Sequence, residues 1–307
     1  KECYEQIIAD LTDAEQYAPD NDNSDRTKMT KTVAQAMLAK VYAEKEVQDY
    51  DKVIAYADKV MNTTGVELED SYETLWGYDE TAKDCMKRNT KEGILEVHWT
   101  TGSGNWETWM YGRQLDNWDY NFTWAKWITP SRDIINDFDK EGDEVRKNQA
   151  IVYYACTWSN YYPASNYPFM YKLRSSYNNI YWVRLADIIL MKAEAEAYKG
   201  NLAESAKLVN QIRKRAKLKE LTSDKTGSKE SMIEAVLHER RLELAFEGER
   251  WFDLCRNNKV EQYLNGIDNR DSGRIRLVRQ FDGNSYLLPI PQTALDQNTN
   301  LEQNPGY

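Results

Sequence analysis

Hydrophobic residues recur every three or four positions in several separate blocks of the chain, and these blocks define its helices. Glu2 to Tyr17 puts Tyr4, Ile7, Ile8, Leu11 and Ala14 on one face, which predicts an amphipathic helix. Pro19-Asp-Asn-Asp-Asn-Ser-Asp25 then breaks the pattern. Thr27 to Lys45 carries Val33, Met37 and Val41 flanked by Ala34, Leu38 and Tyr42, and Asp49 to Asn62 carries Tyr50, Val53, Ile54, Ala57, Val60 and Met61. Both stretches predict helices. The small residues Ala36 and Ala39, with Tyr42, give the pair a tetratricopeptide-type character. The same pattern returns at Ala193, Ala197, Tyr198, Gly200 and Asn201, between helices predicted at Ile180 to Lys199 and Leu202 to Lys217. There Asn201 is placed to cap the second helix, with Glu204 at the reciprocal position. A last helix is predicted over Ser231 to Glu247, with Ser231 and Glu234 as its capping box.

From Gly65 to about Thr129 helical periodicity disappears. Gly93 to Trp99 alternates as a strand does. Residues 102–124 mix Gly, Asn and Asp with aromatic residues, which is loop chemistry. Thr129-Pro-Ser131 restarts a helix with Ile134, Ile135 and Phe138 inward, and Tyr153 to Asn179 is again irregular. Beyond Lys259, Pro289, Pro291 and Pro305 favour an extended tail. The expected fold is mainly α: a tetratricopeptide-like helical repeat scaffold with long irregular, loop-rich excursions. One domain over 1–307 is divided into repeat helices (1–64), an aromatic-rich excursion (65–179), further helices (180–258) and the tail (259–307).

Composition narrows the function. A chain of 307 residues can bury about three quarters of its unfolded surface, so a full core is possible. Mean hydropathy is −0.80, and no apolar run approaches the roughly 20 residues a spanning helix needs. A net charge of −10 argues against nucleic acid, which wants a basic footprint. Cys3, Cys85, Cys156 and Cys255 lack C-x-x-C spacing, and their pairing is left open. His238-Glu-Arg-Arg-Leu242 opens like a zinc-protease helix, but its second His is missing. The acidic loop at Asp20, Asp22 and Asp25 lacks the Gly and distal Glu of an EF-hand and reads as a solvated turn. Neither a metal nor any other cofactor is expected.

One stretch stands apart. Glu239-Arg-Arg-Leu-Glu-Leu-Ala-Phe-Glu-Gly-Glu-Arg-Trp-Phe-Asp-Leu-Cys-Arg256 interleaves ions with large apolar residues. Several of these ions must lie beside buried rings, where only paired charge is tolerated. We expect Arg240, Glu243, Arg250 and Asp253 to be buried, mutually paired and structural, and Gly248 to make a sharp turn. Paired carboxylates stay ionised, the wrong state for a general acid, so a glycosidase pair among Glu239, Glu243, Glu247 and Asp253 is disfavoured.

This stretch resembles the SusD/RagB family, the surface glycan-binding lipoproteins of Bacteroidetes nutrient-uptake systems. Two further matches follow the family's order: Arg184-Leu-Ala-Asp-Ile-Ile-Leu-Met-Lys-Ala-Glu-Ala195 with Asn210-Gln-Ile-Arg-Lys-Arg-Ala216, and Leu288-Pro-Ile-Pro-Gln292 with Gln303-Asn-Pro-Gly-Tyr307. The resemblance implies a non-enzymatic protein that captures oligosaccharide and delivers it to a SusC-like TonB-dependent transporter. It also implies an outer-membrane, cell-surface location, with a lipid anchor on an N-terminal part that precedes these residues. Capture of peptides, as some family members do, is the alternative. Family binding residues lie in variable loops, so candidates come from composition alone. Trp106, Trp109, Trp118, Tyr120 and Trp124 sit in the stretch without a periodic face and offer flat surfaces for sugar C–H faces. Trp99 and Trp251 are read as core.

Overall fold

The computed structural model describes residues 2–99, 128–156, 161–175, 177–273 and 276–307. Helices α1 (Glu2–Tyr17), α2 (Lys31–Ala43) and α3 (Tyr50–Met61) follow the predicted blocks. Thr30 and Asp49 cap α2 and α3, their side chains accepting from Val33 and Lys52. After a short α4 (Tyr72–Trp76), two-residue strands β1 (Tyr78–Asp79) and β2 (Asp84–Cys85) pair with each other, and β3 (Gly93–His98) falls where alternation placed it. Helix α5 (Arg132–Glu141) starts at Ser131, whose hydroxyl accepts from the Ile134 amide, and stops at Gly142 in the left-handed region. Then come α6 (Glu144–Ala150) and an antiparallel pair, β4 (Ile151–Tyr154) with β5 (Tyr167–Met170).

The largest departure from expectation lies at residues 179–184. The helix predicted from Ile180 begins only at Leu185, because Asn179–Arg184 is a strand, β6, antiparallel to β3. Ile-Tyr-Trp-Val is β-branched and aromatic, a composition that suits a pleated surface once a partner strand is present. Helix α7 (Leu185–Lys199) follows, with every residue from Leu185 to Ala197 buried. Its charged residues Asp187, Lys192, Glu194 and Glu196 are buried along with the apolar ones, so the helix is enclosed on every side over this stretch and forms the centre of the fold. Around it pack α2, α3, α8 (Leu202–Arg215) and, after the short α9 (Ser223–Thr226), α10 (Lys229–Glu243). Val33, Ala36, Ala57, Val60, Ile188, Ala193, Val209, Ile212, Val236 and Leu237 share one core cluster. Ala36, Ala39, Ala193 and Ala197 are fully buried at the helix crossings, as the repeat pattern requires. Two stacked tyrosine pairs, Tyr42 on Tyr56 and Tyr50 on Tyr198, flank them at 5.7 and 4.6 Å.

Two capping assignments change. Helix α10 is capped three residues earlier than expected, by Ser228, in a box with Ser231. Asn201 sits at the start of α8 without capping it; its amide donates to Glu196 instead.

Residues through Glu249 form one compact unit, and Arg250–Tyr307 form a second. The second unit holds α11 (Arg250–Arg256), α12 (Val260–Leu264), α13 (Ile267–Arg270) and α14 (Gln292–Gln297), so short helices occur where extended chain was expected. Its ending is a hydrogen-bond clamp. Gln303 accepts from the Ile290 amide (2.8 Å) and donates to the Ile290 carbonyl (3.0 Å), while Asn304 donates to Leu288 and Tyr307 to Leu287. The Leu-Pro-Ile-Pro segment carries prolines that cannot donate to a strand, and side chains from the Gln-Asn-Pro-Gly-Tyr ending serve its backbone instead.

The signature stretch is divided between two helices. Between α10 and α11 the chain turns at Phe246 (φ 67°) and Gly248 (φ 89°), the place expected for a sharp turn. A Cβ added at Gly248 meets nothing within 4 Å, so only backbone conformation resists substitution. Gly248→Ala should therefore cost about 1–2 kcal/mol of stability, read from the denaturant midpoint. A neutral outcome would mean that the turn rearranges freely.

Candidate functional site

The signature residues at the end of α10 meet elements far away in sequence. Arg184, only 1% exposed at the β6–α7 junction, is the hub. Its Nη1 donates to Glu92 and Glu243, each at 2.7 Å, and its Nε and Nη2 grip both oxygens of Glu247 at 2.7 and 2.8 Å. Glu243 also accepts from Arg215 (2.5 Å), Arg146 (3.3 Å) and the Tyr72 hydroxyl (2.6 Å). Arg146 and Arg213 hold the two oxygens of Glu239 at 2.6 and 3.0 Å, and Lys172 reaches Glu247 at 2.5 Å. A neighbouring cluster joins Asp187 to Lys40 and Arg240, each at 2.7 Å, with Glu249 on Lys40 at 2.9 Å.

Burial alone would raise the Glu243 carboxyl; Arg215, Arg184 and Arg146 outweigh it and hold the group well below the usual carboxylate range. Glu247 is lowered in the same way by Arg184 and Lys172, and Asp187 by Lys40 and Arg240. These groups are locked as ions and buried, which suits structure and not proton transfer. Burial of Arg240, Glu243 and Asp253 agrees with expectation, while Arg250 is half-buried with its guanidinium 4.7 Å from the Tyr263 ring centroid. The pairing pattern does not agree: Glu243 takes its cations from β6, α6 and α8 rather than from Arg240 one turn back. Asp253 pairs with Arg256 at 2.7 Å.

The signs give a pH prediction. Carboxyls depressed in the folded protein take up protons more readily once unfolded, so their contribution is complete above about pH 5 and is lost as pH falls through the folded values. Asp143 and Glu249, raised chiefly by burial, oppose this more weakly. Urea midpoints should hold from pH 7 to about 5 and fall steeply below about pH 4. A midpoint unchanged at pH 3 would contradict this assignment.

The sugar-platform candidates Trp106, Trp109, Trp118, Tyr120 and Trp124 all lie outside the described residues. Trp99, expected in the core, is half-buried, and so is Trp251, 6.1 Å from Phe281 between ring centroids. Each histidine binds a carboxylate, His98 with Glu96 (2.7 Å) and His238 with Glu141 (3.1 Å), and the latter contact with Arg213 nearby holds Glu141 down at about 2. Asp22 and Asp25 accept from Ser24, Thr27 and Lys28, and Asp20 from Lys31. Among the described residues no group of His, Cys, Asp or Glu is arranged to hold a metal, and Cys3, Cys85, Cys156 and Cys255 form no disulfide. No helix among them is long and apolar enough to cross a membrane.

Sequence reasoning passed over one residue, Trp182. On β6, Tyr181 and Val183 are buried while Trp182 is 64% exposed. The Tyr181 ring sits edge-on to Trp76, 4.9 Å between centroids, which fixes the strand from below. Val97 pairs opposite Ile180, so Val97, Ile180 and Trp182 share the outer face. The β-branched and aromatic run Ile180-Tyr-Trp-Val183 is the strand signal, but it abuts the strong helical pattern from Leu185 with no Gly or Pro between to separate the two. A separate cleft of about 260 Å³ lies beside α4 and α6, rimmed by Ser71, Glu73, Glu144, Asn148 and Gln149.

Paired helices with small residues at their crossings, set around one fully buried helix and carrying long excursions, define a tetratricopeptide-like helical scaffold. More particularly, the chain belongs to the SusD family, whose model matches residues 14–307. It is 28% identical to SusD-like protein P2 of Formosa agariphila, across all of this chain and 65% of that protein. A SusD-like protein from Bacteroides fragilis has the same fold, with a TM-score of 0.76 at 22% identity, covering 100% of this chain and 71% of the other. A SusD-like carbohydrate binding protein from Bacteroides vulgatus matches 83% of this chain and 51% of its own, with a TM-score of 0.63 at 20% identity. The chain thus spans somewhat less than two thirds of the length of its curated relative.

Proposed function

We propose that this chain captures oligosaccharide at the cell surface and passes it to a SusC-like TonB-dependent transporter in the outer membrane. The family match across residues 14–307 carries the reading. A carbohydrate-binding protein of the same fold supports the ligand class. Capture works by binding and release without covalent chemistry, and the signature carboxylates favour this because each of Glu239, Glu243 and Glu247 is buried or nearly so and held by cations. Within this reading Trp106, Trp109, Trp118, Tyr120 and Trp124 include the sugar platform, since aromatic faces stack on pyranose rings and need little desolvation of polar groups.

A glycan array probed with the purified chain tests the ligand class. Retention of at least one oligosaccharide, with no retention on a peptide array, is the expected result. Binding to peptides alone would replace glycan capture by peptide capture. Co-purification with a TonB-dependent transporter from an outer-membrane extract tests delivery, and its absence under conditions that preserve such complexes would remove that part.

A further inference from the structure

The outer face of the β3–β6 pair carries a strip of apolar side chains with no structural task, and we propose that it is a stacking surface for an uncharged glycan, with Trp182 as its platform. The inference rests on the glycan-capture reading and adds a site within the described part of the chain.

Trp182 is 64% exposed, and among the described residues no hydrogen bond, ring or cation engages its indole. Its exposure leaves the core nothing to lose if it is removed. Alternation along β6 puts Ile180 on the same face, about 7 Å away along the strand, and Val97 stands opposite Ile180, 39% exposed. The frame beneath is stiff. Tyr181 packs on Trp76, Val183 is buried, and Arg184 is bound by Glu92, Glu243 and Glu247. The backbone that carries the ring is thus already ordered, so binding costs only the freedom of the Trp182 side-chain torsions.

The chemistry selects the occupant. Val97, Ile180 and Trp182 are all uncharged. The acid between Leu95 and Val97, Glu96, is buried and turned to Asn89, Thr90 and His98. Nothing in the strip attracts a sulfate or uronate, and a chain of net charge −10 repels a polyanion. A protein partner needs roughly 800 Å² on each side, far more than three side chains supply. The flat C–H face of a neutral pyranose fits the strip in size and polarity. Three residues beyond Val97, moreover, the chain enters the sequence that holds the other aromatic candidates.

Affinity electrophoresis of the whole chain in gels containing galactomannan, xyloglucan or laminarin, and separately polygalacturonate, tests the proposal. Wild type should be retarded in at least one neutral gel. Trp182→Ala should weaken that retardation about tenfold or more, Trp182→Phe should lie between, and both variants should unfold at the wild-type temperature. Equal retardation of wild type and Trp182→Ala would overturn the site, and retardation by polygalacturonate alone would overturn the ligand class. If wild type binds none of these gels and no array glycan, the glycan-capture reading falls and this inference with it. Unchanged glycan affinity with loss of a co-purifying protein would reassign the strip to that protein.

Discussion

Glu243→Ala should lower the free energy of unfolding by about 3–5 kcal/mol, the usual cost of removing one partner from a buried ion network. Arg146, Arg184 and Arg215 would each lose a carboxylate, and the Tyr72 hydroxyl would lose its acceptor. None of these groups can turn to water without opening the junction of β6, α6, α8 and α10. Glu243→Gln keeps the shape but withdraws the charge, and should fall between alanine and wild type. Soluble variant protein should keep its ligand affinity, because the network faces inward. A denaturant midpoint within error of wild type would show that the network contributes nothing net; normal stability with lost binding would move Glu243 into the binding site.

Single alanine variants at Trp106, Trp109, Trp118, Tyr120 and Trp124 should divide into two groups. A true platform ring should give loss of measurable glycan binding with unchanged stability. Capture for hand-over calls for weak sites, and a dissociation constant near 1 mM corresponds to only about −4 kcal/mol. One aromatic contact, worth roughly 0.5–1.5 kcal/mol beyond its buried area, is then a large share of the total. A ring that packs under the loops should instead lower the unfolding midpoint and leave affinity intact. Isothermal titration with whichever oligosaccharide the array selects, run beside thermal melts, separates the two. If all five variants lose stability and keep affinity, the platform lies elsewhere, and Trp182 becomes the leading candidate.

Helix positions and the α-repeat character followed from sequence because they depend on local spacing. An apolar face repeated every 3.6 residues identifies α2, α3, α5 and α8 without knowledge of what they touch. The alternation of Gly93 to His98 likewise identifies β3, and Gly248 marks the turn after α10 because few other residues accept φ near 89°. The signature residues announced their burial through their company, since ions are rarely set among so many rings unless they are paired.

What only the tertiary structure decided is which groups meet. Glu243 draws its cations from Arg146, Arg184 and Arg215, which lie 97, 59 and 28 residues away, and no spacing rule reaches that far. Sequence proximity favoured Arg240, but Arg240 reaches out of α10 to Asp187 on α7, while Glu243 is met by arginines from β6, α6 and α8. Residues 179–184 became a strand because β3 was there to pair with, a long-range contact that overrode the helix expected from Ile180 and left α7 to begin at Leu185. That choice also set the exposure of Trp182. On a helix it would have followed the 3.6-residue face into the core; on a strand it alternates outward, away from Tyr181 and Val183.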